Sequence, residues 1–411
     1  MKSSTIIVIG GGASGMTAAI AARRANPKAK VQILEHKDML GKKILSTGNG
    51  RCNFTNEVMN ADCFFSDTPN VVPHVLKQFG TEDTLRFFGE LGILPKDRNG
   101  YYYPKSGQAA AVAEVLRTAL GKNGITADYS AHVQEVKPVK SGFVVKTKAK
   151  TYSCDRVILS TGGRAASVLG SDGSGYDLAK SLGHKLVPVV PALVQLKVKD
   201  SPLSRASGVR TDAKVTAVID GQEAGVDTGE LQITAYGISG IPVFQISRHV
   251  ARGLYEKKCA EVHIDFMPSM SLEQWTDFLD ERKRGREDWK MADFFVGVFH
   301  QKLAVCLLKC AGIKERTLAG KVSVDRWKRL CSVCKKLTLS ITDTNGFENA
   351  QVCAGGVRLD EIHKDTMESK LCKGLYLTGE LLDVDGICGG YNLQWAWASG
   401  YLAGSAAAEQ E

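Results

Sequence analysis

The first thirty-five residues constrain the fold more than any other stretch of the chain. Thr5-Ile6-Ile7-Val8-Ile9 is an apolar, β-branched run that stops at Gly10. Gly10-Gly11-Gly12-Ala13-Ser14-Gly15 follows, then an alanine-rich helical stretch from Met16 to Arg24. Val31-Gln32-Ile33-Leu34 reads as a second strand and closes on Glu35, twenty residues beyond Gly15. Strand, tight turn, helix and strand make a βαβ unit, which commits the chain to an α/β fold with a parallel sheet. The glycines have separate jobs: Gly10 permits the turn, Gly12 lets backbone approach a pyrophosphate, and Gly15 lets helix and strand pack closely. Ala13 and Ser14 open the helix, whose free N–H groups and positive dipole end favour an anion. Glu35 stands where a carboxylate accepts from a ribose hydroxyl, with His36 next to it.

A second such turn lies at the other end. Gly379-Glu380-Leu381-Leu382-Asp383-Val384-Asp385-Gly386-Ile387-Cys388-Gly389-Gly390-Tyr391-Asn392-Leu393-Gln394 reads as a strand end, a polar glycine-rich loop and a helix start. Two such turns at opposite ends predict one large ligand held by both. Between them, just past the acid, comes Gly41-Lys42-Lys43-Ile44-Leu45-Ser46-Thr47-Gly48-Asn49-Gly50-Arg51-Cys52-Asn53. A bound NAD has no use for this loop. An extended FAD does, because its ribityl chain and isoalloxazine need further backbone donors.

On these residues the chain resembles the BaiN-like flavoproteins, a two-dinucleotide-fold FAD family. The match runs through Ser46 to Asn53, Tyr236-Gly237-Ile238-Ser239-Gly240, Ala354-Gly355-Gly356-Val357 and the tail from Gly379 to Gln394, so it spans nearly the whole chain. The resemblance implies a Rossmann-like FAD domain of the glutathione-reductase type, with an inserted β-barrel and helical domain. It also implies the cofactor-binding positions. These are Gly10, Gly12, Ala13, Ser14, Gly15, Glu35, His36, Lys42, Lys43, Thr47, Gly48, Asn49, Gly50 and Asn53; then Val133 at the adenine, Thr161, Gly162 and Gly163; and Gly379, Glu380, Gly390, Tyr391, Asn392 and Leu393. The last helix is expected to aim its N-terminus at the flavin edge where negative charge develops on reduction.

The periodicity places the boundaries at 1–190 and 356–411 for a discontinuous FAD domain and 191–355 for the insertion. Residues 70–125 look helical, and 130–136, 143–148 and 151–154 form an antiparallel meander with its first turn at Lys140-Ser141-Gly142. Beyond Pro188 and Pro191 the strands shorten and alternate at 194–198, 214–219 and 231–234, as in a barrel or sandwich. A helical block from Ser271 to about 336 follows, with Ser271 and Gln274 spaced as a capping box. The chain returns to β at 337–342 and 374–378.

At 411 residues there is room for two or three cores, and 44% apolar with 24% charged residues is a globular composition. With no run of about eighteen apolar residues and no signal-peptide pattern, a cytoplasmic protein without a membrane span is expected. The eleven cysteines are then expected as free thiols. Cys331 and Cys334 lack a second pair at ligand spacing, and Cys306 and Cys310 lie on an apolar stripe, so all four read as buried small side chains. No metal site is expected. Net charge is +9, and residues 282–336 concentrate it, with fifteen Lys or Arg against five Asp or Glu. Trp289 and Trp327 are interleaved there, a pattern that leans toward RNA.

For catalysis a proton donor or acceptor must stand near the flavin. Cys52, Cys388 and Tyr391 are the first candidates, with Tyr101 to Tyr103, Tyr236 and Cys353 behind them. A thiol at a helix start has its pKa lowered; in relatives the positions of Cys353 and Cys388 often carry Thr. The resemblance implies reduction of a C=C bond conjugated to a carbonyl, with NADH or NADPH as transient donor. Candidate substrates are an unsaturated 3-oxo bile acid or steroid and a uridine of large-subunit ribosomal RNA. Two alternatives stand beside this: an aminoacetone-type amine oxidase, and a non-enzymatic FAD-containing RNA-binding factor. The sequence leaves oligomeric state open.

Overall fold

The computed structural model describes residues 4–409. Two compact units form, one from 1–189 with 351–411, the other from 190–350.

The first unit is built on a five-stranded parallel sheet in the order Leu375–Leu377, Arg156–Leu159, Thr5–Ile9, Lys30–Leu34, Thr126–Asp128. Strands buried on both faces need continuous apolar sequence, which Ile6 to Ile9 and Val157 to Leu159 supply. The helix Ala13–Ala25 packs against the last helix, Tyr391–Ala408. A Cβ at Gly400 or Gly404 would fall on the carbonyls of Ser14 or Ala18, so the two helices meet almost backbone to backbone. That close approach packs the two ends of the chain together. The meander Val133–Val139, Gly142–Thr147, Thr151–Cys154 forms as the spacing predicts. One expectation fails: residues 70–125 are not helical throughout. Helices Val71–Gln78, Thr81–Glu90 and Ala109–Lys122 form there, but Pro95–Arg98 and Tyr101–Pro104 make a hairpin that also pairs with Thr55–Asn56. Asn99 and Gly100 turn it with positive φ.

The second unit contains a closed antiparallel barrel of six strands. They run in the order Leu196–Val198, Gly237–Ser239, Gln222–Ile233, Arg210–Ile219, Ala260–Asp265, Leu337–Thr344, the last pairing back with the first. Val215, Ala217, Leu231, Ile233, Val262, Ile264, Leu339 and Ile341 alternate inward along these strands and form a core with helix Ile241–Tyr255. Gln222–Ile233 is twice the length of any barrel strand read from the sequence, because its polar half is solvent-facing and carries no alternation signal. Helices Leu272–Lys283, Gln301–Cys310 and Val324–Lys335 enclose Trp275, Phe294, Leu307 and Leu330. The capping box forms, with Ser271 Oγ accepting from Gln274 N–H and Gln274 Oε1 accepting from Ser271 N–H.

Candidate active site

The N-termini of helices Ala13–Ala25 and Tyr391–Ala408 lack a side-chain cap and an acidic residue in the first turn. Their free N–H groups therefore point at ligand or water. At the first, Gly15 and Gly10 are forced by packing: a Cβ on Gly15 would fall on the Gly10 carbonyl, and one on Gly10 on the Ser160 carbonyl. Gly12 is different. Its φ of −79° and ψ of −162° suit any residue, and a Cβ there meets nothing within 4 Å. Neither backbone nor packing requires glycine, so the open space fits a pyrophosphate lying against the chain. Glu35 is buried and fixed by two backbone donors, Gly11 N–H at 2.7 Å on Oε2 and Lys37 N–H at 2.8 Å on Oε1. Each carboxylate oxygen keeps a lone pair for a ribose hydroxyl.

The loop expected to hold the flavin runs as short 3₁₀ turns over Lys42–Gly50, broken where Gly48 and Asn49 take left-handed φ of 56° and 54°. Asn53 Oδ1 is buried with no partner in the protein, 3.0 Å from where a Gly390 Cβ would stand. An unpaired buried amide oxygen costs about 1–3 kcal/mol, so it calls for a donor from outside the chain, and FAD carries several. Gly390 itself, at φ 94°, has no room for a side chain against Thr55 and Asn53. The loop and the last helix are thus in direct contact. Gln394 locks them: its Oε1 accepts from Thr55 Oγ1 at 2.7 Å and Thr84 Oγ1 at 2.8 Å, and its Nε2 donates to the Phe79 carbonyl at 3.0 Å. Trp397 Nε1 adds a bond to the Phe54 carbonyl.

Other expected positions divide by what their side chains do. Lys43 Nζ lies 2.8 Å from Glu380 Oε2, while Glu380 Oε1 accepts from Cys353 N–H, so the pair is oriented across 337 residues. Lys42 instead reaches Asp38 at the surface. Asn392 uses its side chain to clasp Gly386 N–H and C=O, which leaves only its backbone for a cofactor. Thr161, Gly162 and Gly163 leave the strand Arg156–Leu159 and pass Ser171, Gly175 and Glu380. Val133 starts the meander with its side chain inward.

The three expected catalytic side chains sit differently. Cys52 is fully buried, its φ is +58°, and burial pushes its thiol up to about 12. Tyr391 packs edge-on against Phe64 at 5.7 Å, and burial together with a hydrogen bond to Cys63 pushes its phenol up. Cys388 is half-buried, in the turn before Gly390. Cys353 is buried, with its Sγ accepting from Arg164 N–H.

Nothing in the local sequence marks Tyr176. Its hydroxyl is buried without a partner, beside Gly163, and burial holds the phenol well above its ordinary range. A tyrosine one turn into a short helix reads as packing, so nothing local marked it. Nor was a Ser-His-Glu line foreseen: Ser369 Oγ is 2.8 Å from His184 Nε2, and His184 Nδ1 is 2.9 Å from Glu361 Oε2. That hydroxyl already accepts from Leu371 and Cys372 N–H and is buried, so it is a structural staple. The pair Trp289 and Trp327 is corrected: Trp289 is exposed under Arg286, but Trp327 is buried and its Nε1 bonds Asp280. Arg282 and Lys335 also spend their charge on main-chain carbonyls. The Cys306, Cys331 and Cys334 thiols are buried and pushed up, as small hydrophobes should be.

With this geometry in place, the model of the HI0933-like protein Rossmann domain matches residues 4–406. The chain belongs to that family. It is 54% identical over 403 residues to a 3-dehydro-bile acid delta(4,6)-reductase of Clostridium scindens, covering 98% of each chain. It is 28% identical to a ribosomal RNA dihydrouridine synthase of Escherichia coli (98% of this chain, 97% of the relative) and 29% to that of Haemophilus influenzae (96% of each). Among solved structures, a 3-ketosteroid delta1-dehydrogenase from Sterolibacterium denitrificans shares the fold, with TM-score 0.50, 14% identity, and 99% and 100% of the two chains covered. The FrdA chain of E. coli quinol fumarate reductase does so at TM-score 0.50 and 16% identity, covering 99% of this chain and 70% of that one. The protein is an FAD-dependent oxidoreductase. Among the described residues no helix is long and apolar enough to cross a membrane.

Proposed function

We propose that this flavoprotein reduces a carbon–carbon double bond conjugated to a ring ketone, in an unsaturated 3-oxo bile acid or related steroid, with NADH or NADPH as electron source. The observation that carries this reading is the 54% identity, over nearly the full length, to a reductase of that kind. FAD, when bound, would supply hydride chemistry for the β-carbon, with electrons drawn from the nicotinamide. The chain's own work is to bind, orient and protonate. Gly12 and the first helix hold the pyrophosphate, Glu35 the ribose, and Asn53 with the N-terminus of Tyr391–Ala408 the ring end. Uncapped N–H groups at Gly390 and beyond stabilise negative charge there.

A proton must reach the α-carbon. Of Cys52, Cys388 and Tyr391, only Cys388 combines partial exposure with a place at the helix start. We assign it first place as donor; Cys52 and Tyr391 shape the loop and the helix turn.

The test is anaerobic. The reduced yellow holoprotein is mixed separately with an unsaturated 3-oxo bile acid and with ribosomal RNA lacking dihydrouridine, and flavin reoxidation is followed in the visible band. Fast reoxidation by the steroid alone is the expected result. Reoxidation by the RNA alone overturns it and makes the basic run at 282–336 the docking surface. Rapid reoxidation by oxygen alone moves an amine oxidase forward.

A further inference from the structure

Folding gathers three metal-ligand side chains that the sequence keeps 96 and 40 residues apart: His36, His132 and Asp172. One donor atom from each lies within 4.8 Å of the other two. They come from separate segments of the first unit: the end of the second sheet strand, the start of the meander, and the loop before helix Ser174–Ser181. The two imidazoles meet edge to face, centroids 5.7 Å apart. Among the described residues neither ring has a hydrogen-bond partner in the protein. The carboxylate, in contrast, is anchored: Asp172 Oδ1 accepts from Ser174 N–H at 3.0 Å and Ser174 Oγ at 2.6 Å. Liganding carboxylates are commonly fixed in this way. Two imidazoles without a hydrogen-bond partner in the protein and a pre-set carboxylate form one face of a coordination sphere, with the solvent side open for water.

We propose that His36, His132 and Asp172 form a binding site for one divalent transition-metal ion. Two nitrogens and one oxygen select borderline ions such as Zn²⁺, Ni²⁺ or Co²⁺ over Mg²⁺ or Ca²⁺, which prefer all-oxygen shells. His36 and His132 each adjoin a residue assigned to the adenosine half of FAD, Glu35 and Val133, so the ion sits at that rim, away from the ring end.

Ni²⁺ is the probe, because eleven thiols compete less for it than for Zn²⁺. Calorimetric titration uses FAD-saturated protein and three variants: His36→Gln, His132→Gln and Asp172→Asn. All three positions are partly or fully exposed, so the fold is expected to be retained, and thermal unfolding of each variant checks this. Expected is one equivalent bound by wild-type holoprotein and an at least tenfold weaker Kd in each variant. Equal binding by wild type and variants overturns the site. So does Ni²⁺ uptake only after FAD is removed, which returns the imidazoles to the adenosine pocket.

Discussion

Gly12→Ala isolates the cofactor's demand from the fold's. At φ −79° and ψ −162°, alanine is unstrained, and its Cβ has nothing within 4 Å in the protein. The apoprotein should therefore be as stable as wild type, or more stable by about 0.4–1 kcal/mol through loss of unfolded-state entropy. Binding FAD is another matter. A methyl in the space left for the pyrophosphate pushes it off the N–H groups at the start of Ala13–Ala25. Charge-assisted hydrogen bonds are worth about 1.5–3 kcal/mol each. Losing one or part of two raises the FAD Kd about 10–100-fold. The assay is deflavinated protein titrated with FAD, following quenching of flavin fluorescence, beside urea unfolding of the apoproteins. Gly15→Ala is the contrast: its Cβ collides with the Gly10 carbonyl, so it should unfold more easily even without FAD. If Gly12→Ala binds FAD within about threefold of wild type, the placement of the pyrophosphate is refuted.

Gln394→Leu leaves two buried hydroxyls and the Phe79 carbonyl without their partner, and should cost about 3 kcal/mol in urea unfolding together with weaker FAD retention; a loss under about 1 kcal/mol would remove its locking role. Cys388→Ala should lower turnover with the enone about 100-fold while flavin reduction by the nicotinamide stays unchanged, whereas Cys52→Ala should cost stability and little activity; the reverse pattern in stopped-flow half-reactions would exchange their roles. Burial lowers His249 from 6.5 to about 4. Its folded pKa is thus depressed below the unfolded value, so its contribution to stability is full above pH about 6.5 and is lost as pH falls toward 4, at most about 3 kcal/mol. His249→Asn should flatten that part of the stability–pH curve, and an unchanged slope would place the titration elsewhere.

What the sequence determined by itself is local chemistry. Strand, glycine turn, alanine-rich helix and acid are contiguous, so their geometry follows from near-neighbour rules, and the same holds for the meander, the Ser271 capping box and the last helix. The barrel was legible only where strands alternate; the polar half of Gln222–Ile233 and the hairpin at 95–104 were not, because cross-strand pairing stabilises them. Tertiary structure decided everything that depends on meeting across long separations. It set Gly400 and Gly404 against Ser14 and Ala18, which packs the two ends of the chain together, and it tied Gln394 to Thr55 and Thr84. It buried Trp327 and left Trp289 out, and it gathered His36, His132 and Asp172. A side chain's type fixes what it is able to bond, but only the packed chain fixes which partners are within reach and which are already taken.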